Sequence, residues 1–175
     1  NNTSEIEATE FAGYIEDNIK INQYWSGIAG FRLNSFRNGE KTYLTPEPRL
    51  MLFFEPNRRW NFNASYTHMS QFMNLISTGM IGLPSEIWVP VSESINPQIA
   101  KQISAGYAHK PNKEWHWGQE FFIKQSSNYT QFAEGISIWY LILSQAPNSG
   151  TNFYDIILVQ GHMLSYGSEM SLKYT

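Results

Sequence analysis

The stretch Trp60-Asn61-Phe62-Asn63-Ala64-Ser65-Tyr66-Thr67-His68 alternates apolar and polar side chains. Because successive side chains of a β-strand point to opposite faces, this pattern predicts a strand with two different environments. The strand is about ten residues long, which is the length that a tilted strand needs to cross a bilayer. The pattern therefore predicts that the tryptophan-bearing face meets lipid and the asparagine-bearing face meets water.

The composition of the chain is typical of such strands. Hydrophobic residues make up 42% of the 175 residues and charged residues only 15%. A membrane barrel produces this mixture because each strand carries both lipid-facing and lumen-facing side chains. The net charge of -3 gives no basic footprint for nucleic acid. No apolar run approaches the roughly 18 residues of a membrane helix, and the absence of cysteine excludes a disulfide framework and thiol chemistry.

Five further segments alternate in the same way, at about residues 22–34, 44–54, 98–110, 115–124 and 163–173. A first segment at residues 5–16 is less regular, because either parity leaves a glutamate among apolar neighbours. In the segment at residues 44–54, Pro46 and Pro48 would each remove an N–H donor from the hydrogen-bond ladder, so we expect local bending or loss of pairing there. The sequence thus predicts an all-β, antiparallel sheet of about seven or eight strands.

The connections between the segments are asymmetric. Short Pro-Asn turns are predicted at residues 55–60 and 110–115, and a third short turn at residues 16–20. Each turn is followed by a tryptophan, namely Trp60, Trp115 and Trp25. Longer connections are predicted at residues 37–41, 70–97 and 127–161. An outer-membrane barrel shows this arrangement, with short periplasmic turns and an aromatic girdle at the lipid interface.

Residues 136–160 fit this scheme less well, because their two apolar runs have no polar face. A good turn at residues 145–150 separates the runs. We interpret them as an extra hairpin buried against a plug, a loop or a partner, with a transmembrane hairpin as the alternative.

Several ordered motifs give the chain a family resemblance. They are Pro46-Glu47-Pro48-Arg49-Leu50, Ser65-Tyr66-Thr67-His68-Met69-Ser70-Gln71-Phe72, Leu83-Pro84-Ser85-Glu86-Ile87-Trp88-Val89-Pro90, Ile95-Asn96-Pro97-Gln98 and Ser165-Tyr166-Gly167-Ser168-Glu169. Together they resemble the barrel of TonB-dependent outer-membrane receptors, especially members with an N-terminal carboxypeptidase-like domain before the plug. The resemblance covers about residues 8–175, with residues 136–160 unmatched.

This resemblance implies a transmembrane barrel of 22 strands that encloses a plug and imports a scarce nutrient with energy from TonB. Residues 1–175 would form one segment of that barrel domain, and the plug and N-terminal domain would lie outside it. The chain starts abruptly at Asn1 without a signal peptide and stops inside a strand pattern at Thr175, so we expect it to be a piece of a longer protein. The expected location is the outer membrane of a Gram-negative bacterium. The expected partners are membrane lipids, the rest of the barrel, the plug, the TonB complex and, as a further candidate, a surface lipoprotein.

Charged residues of both signs share the predicted lumen parity. They are Arg32, Glu47, Arg49, Glu120, Lys124, Glu169 and Lys173. They could form a substrate path or a plug-binding wall, or they could simply be solvated lumen residues, and the second interpretation is favoured. The four histidines show no metal spacing, and no nucleophile or phosphate loop stands out, so we expect no catalytic residue, metal or cofactor.

Trp88 lies in a proline-bounded stretch of the long connection at residues 71–97, which we expect to be extracellular. It could contact a ligand, but packing of the loop onto the barrel rim is favoured. The sequence therefore predicts a transporter segment without catalysis. The alternatives are an outer-membrane enzyme with a loop-end active site and a soluble β-sandwich binding module.

Overall fold

A computed structural model describes residues 7–39, 41–78, 85–133 and 158–175. These residues form strands throughout, joined by turns. The strands are β1 (Ala8–Lys20), β2 (Trp25–Asn38), β3 (Lys41–Asn57), β4 (Trp60–Gln71), β5 (Met73–Thr78), β6 (Ser85–Pro90), β7 (Gln98–His109), β8 (Trp115–Phe132) and β9 (Leu158–Tyr174). For the described residues, the prediction of an all-β, antiparallel fold is confirmed.

Seven of these strands form one antiparallel sheet in the order β1-β2-β3-β4-β7-β8-β9. The remaining two, β5 and β6, pair only with each other and form a hairpin within the connection from β4 to β7. β1 and β9 are the edges of the sheet in the described part of the chain. β3, β8 and β9 contain 17, 18 and 17 residues, so they are longer than the roughly ten residues that cross a bilayer.

The alternation predicted from the sequence matches the pairing register. Ala29, Leu50, Tyr66, Ile103, Ile123 and Tyr166 form one row across six neighbouring strands. Large side chains on this apolar face are exposed, for example Ile103 at 56% and Tyr166 at 79%. A β-sandwich would cover such a face with a second sheet. Among the described residues no second sheet covers it, which argues against the sandwich alternative.

The prolines of β3 act on one side of the strand only. Pairing between β2 and β3 continues through Pro46 and Pro48 without a shift. Pairing between β3 and β4 ends at Arg49, opposite Thr67. Because proline lacks an N–H group, it is tolerated when its nitrogen faces the side of the strand that makes no ladder hydrogen bond. The predicted local loss of pairing is therefore found towards β4.

Three turns at one end of the sheet share a side-chain cap. The Oδ1 atoms of Asn22, Asn57 and Asn112 each accept hydrogen bonds from the backbone N–H groups two and three residues later, at 2.8–3.2 Å. Asparagine favours turns through this type of bond. In all three turns the third residue after asparagine is the tryptophan that begins the next strand.

Two predicted connections are wrong, and the one predicted at residues 127–161 is shorter, because β8 and β9 pair as far as Phe132 opposite Leu158. Residues 16–20 do not form a turn, because they belong to β1 and pair with β2 up to Lys20 opposite Ser26. The turn follows at residues 21–24. Residues 37–41 do not form a longer loop, because β2 and β3 pair up to Asn38 opposite Lys41. Gly39 takes a φ of 59° in this tight turn, a conformation that glycine adopts without a steric penalty.

The buried apolar residues of the described chain lie mainly at the end of the sheet opposite the capped turns. One cluster contains Phe36, Phe72 and Val91, with Tyr43 packed against it. A second cluster contains Ile76, Val89 and Ile95, packed against Phe132 and Leu158. The β5–β6 hairpin and residues 91–97 thus fold back onto the sheet.

The extra hairpin predicted at residues 136–160 falls mostly outside the described residues, and only residues 158–160 are placed, at the start of β9. Within the described residues, no helix has the length and apolar character to span a membrane.

Candidate functional site

The polar face of the sheet carries all seven predicted lumen residues. Arg32 lies opposite Glu47 in the β2–β3 register. Arg49 and Lys124 share one row, separated by Thr67 and Gln102 on β4 and β7. The face therefore presents charges of both signs, spaced along hydrogen-bonded strands.

Arg32 stands at the centre of a polar cluster. Its Nη2 atom is 3.8 Å from Glu10 Oε1, and its Nε atom is 3.7 Å from Glu47 Oε2. The Asn34 side chain donates to Glu10 Oε1 at 2.7 Å. Arg32 and Glu10 are partly exposed, whereas the Glu47 side chain is only 7% exposed. One guanidinium group thus lies between two carboxylates, and the cluster spans β1, β2 and β3.

Glu47 also accepts a hydrogen bond from a backbone N–H group of β4, next to the prolines of β3. Its Oε1 atom accepts from the Ser70 N–H at 3.0 Å and from the Ser70 hydroxyl. The Ser70 and Thr45 hydroxyls are 2.8 Å apart. Because β3 and β4 no longer pair beyond Arg49, the carboxylate satisfies a strand N–H that has no ladder partner. Glu47 is therefore a structural link between β3 and the end of β4.

The other predicted lumen residues do not join this cluster. Glu120 and Glu169 lie opposite each other on β8 and β9, and Lys173 lies opposite His116. Lys124 is opposite Ser165. All four are separated from Arg32 and Glu47 by strands β4 and β7. The structure brings Arg32 and Glu47 together and leaves Glu120, Lys124, Glu169 and Lys173 on the far half of the polar face.

Residues 91–97 cross this face at its end. On one side, Asn38, Tyr43 and Lys41 donate to the successive carbonyl oxygens of Val91, Ser92 and Glu93 at 2.7, 2.5 and 3.0 Å. These three donors lie on β2 and β3.

On the other side, the Gln160 amide exchanges two hydrogen bonds with the Asn96 backbone, at 2.8 and 3.1 Å. Asn128, at the β8 bulge with a φ of 58°, donates to the Pro97 carbonyl at 2.9 Å. Residues 91–97 thus tie β2 and β3 to β8 and β9.

The β5–β6 hairpin has two different faces. Phe72, Asn74, Ile76, Val89 and Val91 are buried on the face towards the sheet. Met73, Leu75 and Trp88 are exposed on the other face, at 37%, 42% and 61%. The interpretation that Trp88 packs the loop onto the rim is wrong, because Val89 and Ile76 make that contact. This could not be predicted from the local pattern, because both faces of the hairpin carry apolar side chains and residues 72–76 do not alternate in polarity.

The three tryptophans predicted to form a girdle lie at the same end of the sheet, at the starts of β2, β4 and β8. Trp25 stacks on Phe54 with ring centroids 4.5 Å apart, and Trp60 stacks on His109 at 3.9 Å. Trp115 contacts Tyr174 at 5.0 Å. These rings are part of an aromatic band that also includes Phe62, Tyr107 and Trp117.

The polar face offers ion pairs and hydrogen bonds. Among the described residues, no group of three or more His, Asp or Glu side chains could hold a metal ion. Both carboxylates of the cluster at Arg32 already have a cation and amide or hydroxyl donors beside them. These contacts fix the side chains of the Arg32 cluster in position on the polar face.

No protein-family model and no curated protein matches this sequence. Among solved structures, the chain is similar to the FrpB iron transporter from Neisseria meningitidis, F3-3 variant, with a TM-score of 0.65 and 14% identity. That match covers 98% of this chain and 24% of the transporter. The F5-1 variant of FrpB, in its apoprotein form, gives a TM-score of 0.63 at 13% identity over 96% of this chain and 24% of its own length.

The alcaligin outer-membrane receptor FauA from Bordetella pertussis gives a TM-score of 0.49 at 16% identity, over 97% of this chain and 31% of the receptor. The chain spans about a quarter of the length of FrpB. The FrpB matches show that the described sheet shares its fold with part of a transporter.

Proposed function

We propose that this chain forms part of the barrel wall of a TonB-dependent outer-membrane receptor and takes part in the import of a scarce nutrient. The observation that carries the proposal is the two-faced sheet, with an exposed apolar face, a charged polar face and an aromatic band at the end with short turns. A lipid bilayer outside and water inside account for both faces. The fold shared with FrpB supports the proposal.

In this proposal the seven charged residues face the lumen and the plug. Arg32, Glu47 and Arg49 would contact the plug, with Glu47 nearest to the end of β4 through its bonds to Ser70. Glu120, Lys124, Glu169 and Lys173 would line the wall further round the barrel. The Glu47 side chain is tied to Ser70 and Arg32, so this part of the wall would be rigid.

The proposal extends to the parts of the protein beyond these residues. The whole barrel would have 22 strands, with β1 and β9 paired to strands outside the chain, since exposed strand edges invite pairing. A plug, a TonB-contacting segment and a carboxypeptidase-like domain would lie outside the chain, and a surface lipoprotein remains a candidate partner. Trp25, Trp60 and Trp115 would lie at the periplasmic membrane interface.

We propose no catalytic step for this chain. The enzyme alternative needs a free acid and base, or an activated nucleophile, at the loop end of the strands. Glu10 and Glu47 lie on the polar face with Arg32 between them, and Glu86 and Glu93 lie in the connection from β4 to β7. Ion pairs and hydrogen bonds with Arg32, Asn34 and Ser70 already hold the Glu10 and Glu47 carboxylates in place.

Cell fractionation and uptake of radioactive iron test the proposed function on the intact parent protein. Iron is the first nutrient to try because the similar FrpB is an iron transporter. We expect the protein in the outer-membrane fraction, and iron accumulation above that of cells with an empty plasmid only when TonB is present. Recovery in the soluble fraction, or accumulation that persists without TonB, would contradict the proposal.

A further inference from the structure

The apolar face of the sheet becomes polar at the same level on three neighbouring strands, β4, β7 and β8. The last apolar row across these strands contains Tyr66, Ile103 and Ile123. The next row on the same face, towards the end of the sheet opposite the capped turns, contains His68, Lys101 and Gln125. Because all three strands change at one register position, this row marks an upper boundary of the apolar face.

The height of this row above the aromatic band matches the thickness of a membrane. His109 stacks on Trp60 in the band, and Lys101 precedes it on the same strand. At roughly 3.3 Å per residue, the strand from Lys101 to His109 is about 26 Å long. A tilt of about 40° reduces this length to about 20 Å along the membrane normal, and the apolar belt of a barrel is about 25 Å tall. The long side chain of Lys101 therefore reaches the second membrane interface.

The orientation of Lys101 does not depend on strands outside the chain. β7 pairs on one side with β4 and on the other with β8. Ile103 and Ala105 share the face of Lys101, and all three side chains are exposed. Ala100 and Ser104 are buried on the opposite face. Lys101 thus lies on the face that the proposed function assigns to lipid.

The charge of Lys101 has no acidic partner on its face. The apolar faces of β4, β7 and β8 carry no Asp or Glu, and among the described residues no carboxylate forms an ion pair with Lys101. The Lys101 ammonium, the Gln125 amide and the His68 imidazole all supply N–H donors. A lysine on a lipid-facing surface is unfavourable at the centre of a bilayer and tolerated near its interface. A cation beside further N–H donors at that level is complementary to a phosphate group.

We propose that Lys101 binds the phosphate group of a membrane lipid in the leaflet opposite the capped turns, with His68 and Gln125 as additional donors. The inference rests on the proposed function, because it takes this face to be the one that meets lipid. The acyl chains of the bound lipid pack on the apolar rows of Ile103 and Ala105. Free phosphate has no apolar part to occupy those rows, so the lipid is the source of the phosphate.

Native mass spectrometry of the intact parent protein, released from detergent micelles, tests the site. The probes are dimyristoyl phosphatidic acid, dimyristoyl phosphatidylcholine and inorganic phosphate, at equal concentrations. We expect protein that carries one phosphatidic acid to be at least threefold more abundant than protein that carries one phosphatidylcholine. Lys101→Gln should lower the phosphatidic acid signal at least threefold, whereas Lys101→Arg should retain most of it.

Lys124→Gln is the matched control. Lys124 lies opposite Gln102, in the row next to that of Lys101, but on the polar face. The variant removes the same charge at nearly the same level of the sheet and should leave the phosphatidic acid signal unchanged. Equal effects of Lys101→Gln and Lys124→Gln would overturn the inference. Displacement of phosphatidic acid by inorganic phosphate would overturn it as well, because the site would then be one for free anions.

The outcome is separable from that of the proposed function. A protein that imports its nutrient in a TonB-dependent manner, but whose retention of phosphatidic acid does not depend on Lys101, refutes the lipid site alone. A protein found in the soluble fraction whose retention does depend on Lys101 refutes the import proposal and the placement of the site in a membrane leaflet.

Discussion

Replacement of Glu47 by alanine is expected to destabilise the wall of the intact protein strongly. The Glu47 carboxylate is almost fully buried and accepts two hydrogen bonds from Ser70, one from the backbone N–H at 3.0 Å and one from the hydroxyl. Alanine would leave the Ser70 N–H without a partner beside the prolines of β3. It would also leave Arg32 with only Glu10 as a counter-charge.

The magnitude follows from these contacts. Each hydrogen bond to a charged group contributes about 1.5–3 kcal/mol. The ion pair with the partly exposed Arg32 adds less than about 1 kcal/mol. We expect Glu47→Ala to lower the free energy of unfolding by about 3–5 kcal/mol. Glu47→Gln keeps an acceptor oxygen for Ser70, so its cost should be about 1–2 kcal/mol.

Urea unfolding of the intact protein in detergent, followed by tryptophan fluorescence, measures these differences. Glu120→Ala is the matched control, because Glu120 has the same parity but is exposed and faces another carboxylate, Glu169. Its effect should stay within about 0.5 kcal/mol. Equal destabilisation by Glu47→Ala and Glu120→Ala would refute the reasoning that Glu47 links β3 to β4.

Three other substitutions test the fold with the same unfolding assay and, for the third, with amide hydrogen exchange. Asn57→Ala removes the cap of the β3–β4 turn and should cost about 1 kcal/mol, whereas Asn57→Asp retains the acceptor and should cost less. Gly106→Ala would place a Cβ atom 2.7 Å from the Gln119 carbonyl oxygen and should cost about 1–3 kcal/mol, unlike Gly161→Ala, which meets open space. Phe36→Ala should cost about 3–5 kcal/mol and should increase amide hydrogen exchange in residues 72–78 and 85–97 at least tenfold; unchanged exchange there would contradict the packing described.

The strand faces could be predicted because the side-chain period of a strand is two and the two faces meet different solvents. Trp60 to Thr67 in β4 pairs with β7 in the register that the alternation implies. Composition alone was a poor guide to the turns. Residues 16–20 contain Asp and Asn, which are typical of a turn, but they continue β1. Asn22 stands three residues before Trp25, the spacing found at Asn57 and Asn112, and that spacing locates the turn correctly.

The contacts at the other end of the sheet could not be predicted from local patterns. The hydrogen bond between Glu47 and Ser70 depends on where β3 and β4 stop pairing. That point depends on Pro46 and Pro48 of β3, which cannot donate hydrogen bonds to β4. The β5–β6 hairpin has apolar side chains on both faces, so no alternation shows which face is buried. Long-range contacts, such as that of Phe72 with Phe36 and those of Ile76 and Val89 with Phe132, distinguish the two faces.

The assignment of lipid to one face and water to the other is the central claim, and site-directed spin labelling along β4 tests it most directly. The chain contains no cysteine, so single cysteines introduced at positions 61–67 can each carry one nitroxide label in lipid vesicles, in a parent protein from which cysteines outside this chain have been removed. Labels at Phe62, Ala64 and Tyr66 should relax with dissolved oxygen, and those at Asn61, Asn63, Ser65 and Thr67 should not respond to oxygen to the same extent. A nickel chelate confined to water should reach the second set more readily than the first. Accessibility without a period of two, or nickel access to both faces, would contradict the claim that this sheet is a membrane wall.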